Sequence, residues 1–373
     1  MEYKDKIEMM EINTEIGVLS MSKDEEFLSH SSRNPDKLSF VKTDNAFTRK
    51  ARMLQAIRRF QSGAPCGSIE KKGVTYFHPN LAEDGEITGC NFLHREIFEY
   101  AKSRVVNKKS YETIEEGRLY NNFLSSQPMA FNLFFPLMKI IECEEGQIKL
   151  AEVVTKLLNV NKELHIERIT EVGLEFIPKY YKDCLNDKTA MDAYMRYSTK
   201  DGKRGIIAIE TKYTDILGKN QASNPSLAIN TATERLGISS LFTSEAKHQI
   251  KVRDIELSQV YRNFLLTETV RLHEDLDDSI SIVLAPIGND SNKEDENQLK
   301  KALNADYTYK FQVFSLEDFV SVLIDLFPEE SIFKQFQHRY LDFRPAEWML
   351  QKLLKRKKMT NYCYFLNLSH DLG

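Results

Sequence analysis

The apolar run Ile206-Ile207-Ala208-Ile209 ends in charge, as Glu210-Thr211-Lys212-Tyr213. In a β-strand, the period of two puts Glu210 and Lys212 on one face with Ala208 and Ile206. Charges flanking such a run must be paired, bind a ligand or stand at the end of a sheet. Asp192 lies eighteen positions before Glu210, in a second strand-like segment from Ala190 to Tyr197. Lys200-Asp201-Gly202 joins the two segments. A two-residue Asp-Gly turn would set Asp192 opposite Thr211. A three-residue loop, with Gly202 left-handed in a bulge, sets Asp192 opposite Glu210 instead. Their Cβ atoms would then be about 5 Å apart. Two carboxylates that close repel unless a cation sits between them. Hard oxygen donors with an open position suit Mg²⁺, with Mn²⁺ as its substitute and phosphate and water completing the shell. Lys212 could orient an attacking water or stabilise charge on a phosphorane-like transition state. Glu-x-Lys alone is common and on its own reads as an ordinary surface ion pair. Its conjunction with an upstream Asp, an apolar strand and a later polar helix favours a site.

Further side chains are candidates around this centre. Glu175, in Gly173-Leu174-Glu175-Phe176, lies on the strand before the Asp192 strand and could supply a third carboxylate. Glu152, Glu167 and Glu171 compete with it, and a solvent-facing glutamate is the plain alternative. Gln127 could reach the site from its helix, or pack as a hydrogen-bonded interior glutamine. Arg262 and Asn263 either bind phosphate or buttress the carboxylates. Arg58 and Arg59 either contact phosphate or form the solvated basic side of a helix. Cys66, His78, Cys90 and His94 could hold zinc, although the eleven-residue gaps between the first three match no usual finger spacing. No GxxxxGK[ST] or GxGxxG occurs, so nucleotide hydrolysis and a dinucleotide cofactor have no local support.

The elements that must position these residues follow from periodicity and punctuation. Ala46 to Gln61 reads as an amphipathic helix with Phe47, Met53, Leu54, Ile57 and Phe60 on one side. Residues 62–90, dense in Gly and Pro, read as loop. Helices are expected over Asn91–Ser103, Ser110–Tyr120, the segment capped near Ser126, and residues 147–160. Pro128 suits a first turn, and Pro136 should kink or interrupt its helix. Strands are expected at Val172–Ile177, Ala190–Tyr197, Gly205–Tyr213, Ser279–Pro286 and Phe311–Phe314. Asp254–Leu272 is an expected helix, and Ser315 caps another that runs to Phe327. The fold class is therefore α/β. Four parts are expected: a polar extension (1–45), a helical N-terminal part (46–146), a core (147–330) and a C-terminal helical extension (331–373).

Asp192 followed by Glu210-x-Lys212 resembles the PD-(D/E)XK nuclease superfamily. Met191 stands where the strict motif has proline, which many members lack. Gln259, in Ser258-Gln259-Val260-Tyr261-Arg262-Asn263, resembles an additional glutamine that some members carry on the helix after the Lys strand. Asn91-Phe92-Leu93, Ser125-Ser126-Gln127-x-x-x-Phe131-Asn132-Leu133-Phe134 and Gln259-x-x-Arg262-Asn263-x-Leu265-Leu266 together are similar to a bacterial restriction-endonuclease-like branch. The resemblance runs from residue 46 to 325. It implies a restriction-endonuclease-like core, a short mixed sheet flanked by helices. It also implies metal-dependent phosphodiester hydrolysis by Asp192, Glu210 and Lys212, with Gln259 steadying the site. DNA as substrate, endonuclease action and a role in restriction or phage defence are expectations of the same kind. A degenerate nuclease fold that binds nucleic acid or a protein partner is the other class it allows. Cutting both strands of a duplex usually uses two active sites, which makes a homodimer compatible with this reading, although no interface is legible in the sequence.

Composition sets outer limits. The chain has 373 residues, with 51 Lys plus Arg against 55 Asp plus Glu and a formal net charge of −4. A bulk polycation that coats nucleic acid is excluded, while a local basic groove is not. Lys352 to Lys358 forms one local basic run. No stretch of about eighteen apolar residues occurs, so no membrane contact is expected. Five scattered cysteines, no CxxC and no secretory pattern at the start point to a reduced, cytoplasmic protein.

Overall fold

Single polar residues start most of the helices, because each supplies an acceptor for an otherwise orphaned backbone N–H. The computed structural model describes residues 44–71, 74–158, 165–186, 188–214, 237–246, 259–289 and 293–348. Expectations for the polar extension up to residue 43 and for the basic run from Lys352 lie outside them. The chain divides into two compact units.

The first unit holds residues 44–91, 120–124 and the described residues from 338 onward. Its helix α1 spans Ala46–Gln61, as its periodicity predicts, and the Asn45 side chain accepts from the Thr48 N–H at 2.7 Å. Met53, Leu54 and Ile57 are fully buried. The 62–90 region is not loop. Cys66–Lys71 (β1) and Val74–Ala82 (β2) form an antiparallel hairpin. Pro79 is tolerated there because a two-stranded sheet has only edge strands.

The second unit comprises Phe92–Leu119 and Ser125–Gln337. It opens with α2 (Arg95–Val106), α3 (Ser126–Ile140) and α4 (Glu144–Leu157). The expected helix over Ser110–Tyr120 is replaced by turns and one π-helical turn, Gly117–Asn121. There Glu112 accepts from the Lys109 N–H at 2.7 Å, a local bond that competes with helix. The Ser125 hydroxyl caps α3 by accepting from the Gln127 N–H at 3.2 Å. Pro136 does not end α3. Phe131, Leu133, Phe134 and Leu137 are all fully buried, and that burial outweighs the roughly 3 kcal/mol cost of an interior proline.

Five strands follow: β3 (Ile166–Phe176), β4 (Met191–Thr199), β5 (Arg204–Thr211), β6 (Asp278–Ala285) and β7 (Phe311–Ser315). They form one sheet in chain order. β3, β4 and β5 are an antiparallel meander, whereas β5, β6 and β7 are parallel. Parallel neighbours need long crossovers. Helix α5 (Gln259–His273) lies between β5 and β6, and α6 (Lys293–Ala302) between β6 and β7. Ile206 and Ala208 pack in one cluster with Val260, Phe264 and Leu265 of α5. Ile207 and Ile209, on the opposite face, are equally buried, and α3 packs against β3, β4 and β5. Cover on both faces is why β5 and β6 read as continuous apolar runs. Helix α7 (Leu316–Leu326) starts at Ser315, whose hydroxyl accepts from the Asp318 N–H at 2.9 Å, and α8 (Ser331–Tyr340) follows. The architecture is an α/β mixed sheet flanked by helices, with a largely helical part before it. No described helix is long and apolar enough to cross a membrane.

At the start of β6, buried charges balance. Lys310 lies 2.9 Å from both Glu268 and Asp278, and Arg271 lies 2.9 Å from Glu268. Tyr309 and Ser279 complete this group with bonds of 3.0 and 2.6 Å to Asp278 and Glu268.

The β4–β5 connection decides the site's geometry. Thr199 N–H donates to Lys203 O at 2.9 Å, and Gly202 N–H donates to Thr199 O at 3.0 Å. That closes a three-residue loop with Gly202 at φ +81°. A side chain there is strained, so Gly202→Ala should cost about 1–2 kcal/mol in urea unfolding. Gly117→Ala, where a Cβ meets nothing within 4 Å, should change stability far less.

Candidate active site

With that loop, Tyr194 lies opposite Ala208 and Ala193 opposite Ile209. One step on, Asp192 meets Glu210, as the three-residue loop requires. The β4–β5 ladder ends at this point. The Asp192 carboxylate takes over, accepting at 2.8 Å from both the N–H and the hydroxyl of Thr211. The middle residue of Glu-x-Lys is thus the one that orients the aspartate.

Glu210 and Lys212 stand at the carboxyl end of β5, the end at which open α/β sheets bind ligands. The backbone N–H of Lys212 still donates to Leu284 O at 2.9 Å, so the parallel ladder fixes this residue too. The Lys212 ammonium lies 2.5 Å from Glu210 Oε1 and donates to Gln259 Oε1 at 3.1 Å. Asn263 donates to Glu210 Oε2. Gln259 and Asn263 are four apart on α5, hence on one helical face. That face braces the Glu210–Lys212 pair from the side. Glu210, Lys212 and Asn263 are buried, whereas Asp192 and Gln259 are half-buried, so solvent reaches the site on their side.

Glu175 joins this group from β3. Leu174 opposes Ala193 and Phe176 opposes Met191, which brackets Glu175 against Asp192. It is buried, and its backbone is left-handed at φ +50°. Such a conformation costs a non-glycine residue about 1–3 kcal/mol and must be held by its surroundings. Gln127, at the start of α3, donates to Glu175 Oε1 at 2.9 Å. Arg104 of α2 donates to the carbonyls of Leu174 and Glu175 at 2.6 and 3.2 Å. Of the competing glutamates, Glu171 pairs with Arg196 at 3.0 Å and Glu152 with Lys156 at 2.9 Å.

Burial and mutual repulsion act on these acids in one direction. Removal from water, then the charge of Asp192, pushes Glu175 up to about 8, against the bond from Gln127. The same two causes, in that order, push Glu210 up to about 7, against Lys212 and Asn263. Among the described residues, no three carboxylate, imidazole or thiol groups are gathered closely enough to form a complete metal cage. A hard divalent cation that keeps water and phosphate in its shell needs only one or two carboxylates. Asp192 and Glu210, which repel across neighbouring strands, fit that requirement, and a cation between them would relieve the repulsion.

Other sequence candidates sit elsewhere. Arg262 is half-buried on α5 beside Asn263. Arg58 and Arg59 belong to the first unit, where they engage backbone carbonyls rather than turning to solvent. Arg58 donates to His338 O at 2.6 Å, and buried Arg59 donates to Pro79 O at 2.6 Å and to Ala64 O. Cys66 and Cys90 are free thiols that burial pushes up, away from the thiolate zinc requires. His94 instead caps α2, its Nδ1 accepting from the Glu96 N–H at 3.4 Å. Sequence reasoning missed Thr211 and Arg104. Thr211 was legible as the hydroxyl inside the motif. Arg104 lies some seventy residues from its carbonyl partners, and no local pattern marks it.

Residues 42–342 match the family model of the PD-(D/E)XK nuclease superfamily, and the chain belongs to that superfamily. Neither a curated protein nor a solved structure matches the chain at a significant level.

The raised acids set a pH dependence. A carboxyl whose folded pKa exceeds its unfolded value binds its proton more tightly when folded. The stability it contributes is complete below about 4.5 and is lost as pH rises through about 7 for Glu210 and about 8 for Glu175. In chelator, the melting temperature should therefore fall between about pH 5 and about pH 8. Glu175→Gln should flatten the upper part of that profile in calorimetry.

Proposed function

We propose that this protein is a divalent-metal-dependent nuclease, with DNA as the substrate that its resemblance to restriction endonuclease-like proteins favours. One observation carries the reading: Lys212 is locked between Glu210 and Gln259, beside Asp192, at the open end of β5. Asp192 and Glu210 would hold Mg²⁺, for which Mn²⁺ substitutes. A bound divalent cation supplies charge neutralisation at the scissile phosphate and acidifies water. The protein's own residues do the positioning. Thr211 fixes the Asp192 carboxylate through two hydrogen bonds. Asn263 fixes Glu210, and Gln259 sets the direction of the Lys212 ammonium. From there Lys212 can orient the attacking water or donate to the charge that builds on phosphorus oxygens, in a setting where burial strengthens both effects.

A net charge of −4 excludes binding by the whole surface, so substrate contact rests on a confined groove and on the metal. Restriction or phage defence is the biological setting in keeping with this reading. Duplex cutting usually uses two copies of the site, and a homodimer is compatible with this reading.

A cleavage panel over single- and double-stranded DNA and RNA, with Mg²⁺ or Mn²⁺, tests the proposal. Wild type should cut, with double-stranded DNA the expected substrate. Lys212→Ala should lower the rate by about 10²–10³-fold, the loss typical of removing one transition-state donor. Intact substrates throughout the panel would leave a catalytically silent nuclease fold that acts by binding.

A further inference from the structure

Two loops of the second unit border the acids. Strand β3 ends at Phe176 and β4 begins at Met191, so the loop 177–190 leaves and re-enters the sheet beside Glu175 and Asp192. The loop 107–113 follows α2, and Arg104 in the last turn of α2 donates to the carbonyls of Leu174 and Glu175. Both loops are therefore anchored at the end of the sheet that carries the acids. They are also tied to each other. The Lys188 ammonium donates to Ser110 O at 3.1 Å, and the ring centroids of Tyr111 and Tyr181 lie 5.8 Å apart. Lys109 and Glu112 close the turn between them, through bonds of 2.7 and 3.0 Å. The two loops thus form one connected surface.

The charge on this surface is unevenly answered. The loops carry five lysines, Lys108, Lys109, Lys179, Lys182 and Lys188, against three acids. Glu112, one of those acids, is taken by Arg104 at 3.4 Å. Lys108, Lys109, Lys179 and Lys188 are exposed. Lys108 donates to Ile114 O at 3.1 Å, so it and Lys188 are each held by a carbonyl, whose dipole places an ammonium without neutralising it. Among the described residues, none of these four lysines forms an ion pair with a carboxylate. Exposed lysines on α3 and α4 are answered instead. Lys139 lies 2.9 Å from Glu142, and Lys156 lies 2.9 Å from Glu152. In a chain with a net charge of −4, a positive surface of this kind focuses attraction for a polyanion at one place.

We propose that Lys108, Lys109, Lys179 and Lys188 form the surface on which the phosphate backbone of duplex DNA rests while a phosphodiester enters the site of Asp192, Glu210 and Lys212. The inference rests on the nuclease reading above and names contacts outside the residues that do the chemistry. The acids repel the backbone they must reach, and positive charge beside them offsets that repulsion. An ammonium meets phosphate as a point charge and reads no base, so this surface holds any sequence alike.

Fluorescence-anisotropy titration of the full-length protein with a labelled DNA duplex, in chelator and at several salt concentrations, tests this. Wild-type affinity should fall linearly with salt on logarithmic axes. Lys108→Gln, Lys109→Gln, Lys179→Gln and Lys188→Gln combined should reduce that slope by about 3–4, close to one per phosphate contact, and weaken binding alike for duplexes of unrelated sequence. The same four positions changed to Arg keep the charge and should keep the slope, which separates lost phosphate contact from a disturbed fold. Lys139→Gln, Lys300→Gln, Lys301→Gln and Lys334→Gln combined remove equal charge from exposed positions on α3, α6 and α8, and should leave the slope as it is. In cleavage with Mn²⁺, the first Gln variant should raise KM more than it lowers kcat. An unchanged slope in that variant, or an equal loss in the α3, α6 and α8 variant, overturns the assignment. Wild-type hydrolysis of bis(para-nitrophenyl) phosphate with Mn²⁺ separates this inference from the reading beneath it. Hydrolysis together with an unchanged slope removes the surface and leaves the nuclease site standing. If wild type cuts neither the small diester nor DNA while the slope still falls, the surface stands and the nuclease reading fails.

Discussion

Asp192, Glu175 and Glu210 occupy neighbouring positions on three adjacent strands, and burial removes most of the water that would screen Glu175 and Glu210. Like charges brought out of water repel strongly, and much of the surrounding structure answers that repulsion. Thr211 supplies two donors to Asp192. Lys212 and Asn263 supply a charge and a donor to Glu210. Gln127 supplies a donor to Glu175. Glu175 and Glu210 nevertheless stay above their ordinary range.

The two ends of the central strands differ in this respect. At the start of β6, two cations face two carboxylates, and the group is electrically complete. At the end of β5, among the described residues, the Lys212 ammonium pairs with Glu210, Asp192 and Glu175 lie on the two neighbouring strands, and the guanidinium of Arg104 is directed at carbonyls. The first arrangement is that of a structural network, the second that of a site with room for an incoming positive charge. The contrast matters because both groups are buried, so burial by itself separates nothing.

The fold was most legible where pattern and punctuation agreed. α1, β4, β5 and the Ser315 cap carry strong periodicity or an unambiguous capping residue. The β4–β5 register followed from one left-handed glycine and the requirement that two acids share a face. The β1–β2 hairpin was hidden because Gly67, Gly73 and Pro79 are breakers in isolation, yet a two-stranded sheet tolerates them. Pro136 misled in the opposite direction, since tertiary burial carried α3 through it. Within the site, the residues on one strand or one helical turn could be read from spacing. The brace from α2 could not, because the contact between Arg104 and β3 is set by packing and leaves no periodic trace. The left-handed backbone of Glu175 was equally invisible, since glutamate carries no preference for it.

The sheet's split into an antiparallel and a parallel half bears on the order of assembly. Strands β3 to β5 follow one another in the chain and pair in that order, so their contacts are more local in sequence than those of β6 and close sooner. Strand β6 joins only after the chain has crossed from residue 211 to residue 278. The topology therefore favours gathering the acids first and adding Gln259 and Asn263 on α5 later. During folding, the charge conflict exists before its braces do. A barrier set in this way would be lowered by whatever shields carboxylates in the unfinished meander, so ionic conditions would act on how fast this chain folds as well as on how stable it is.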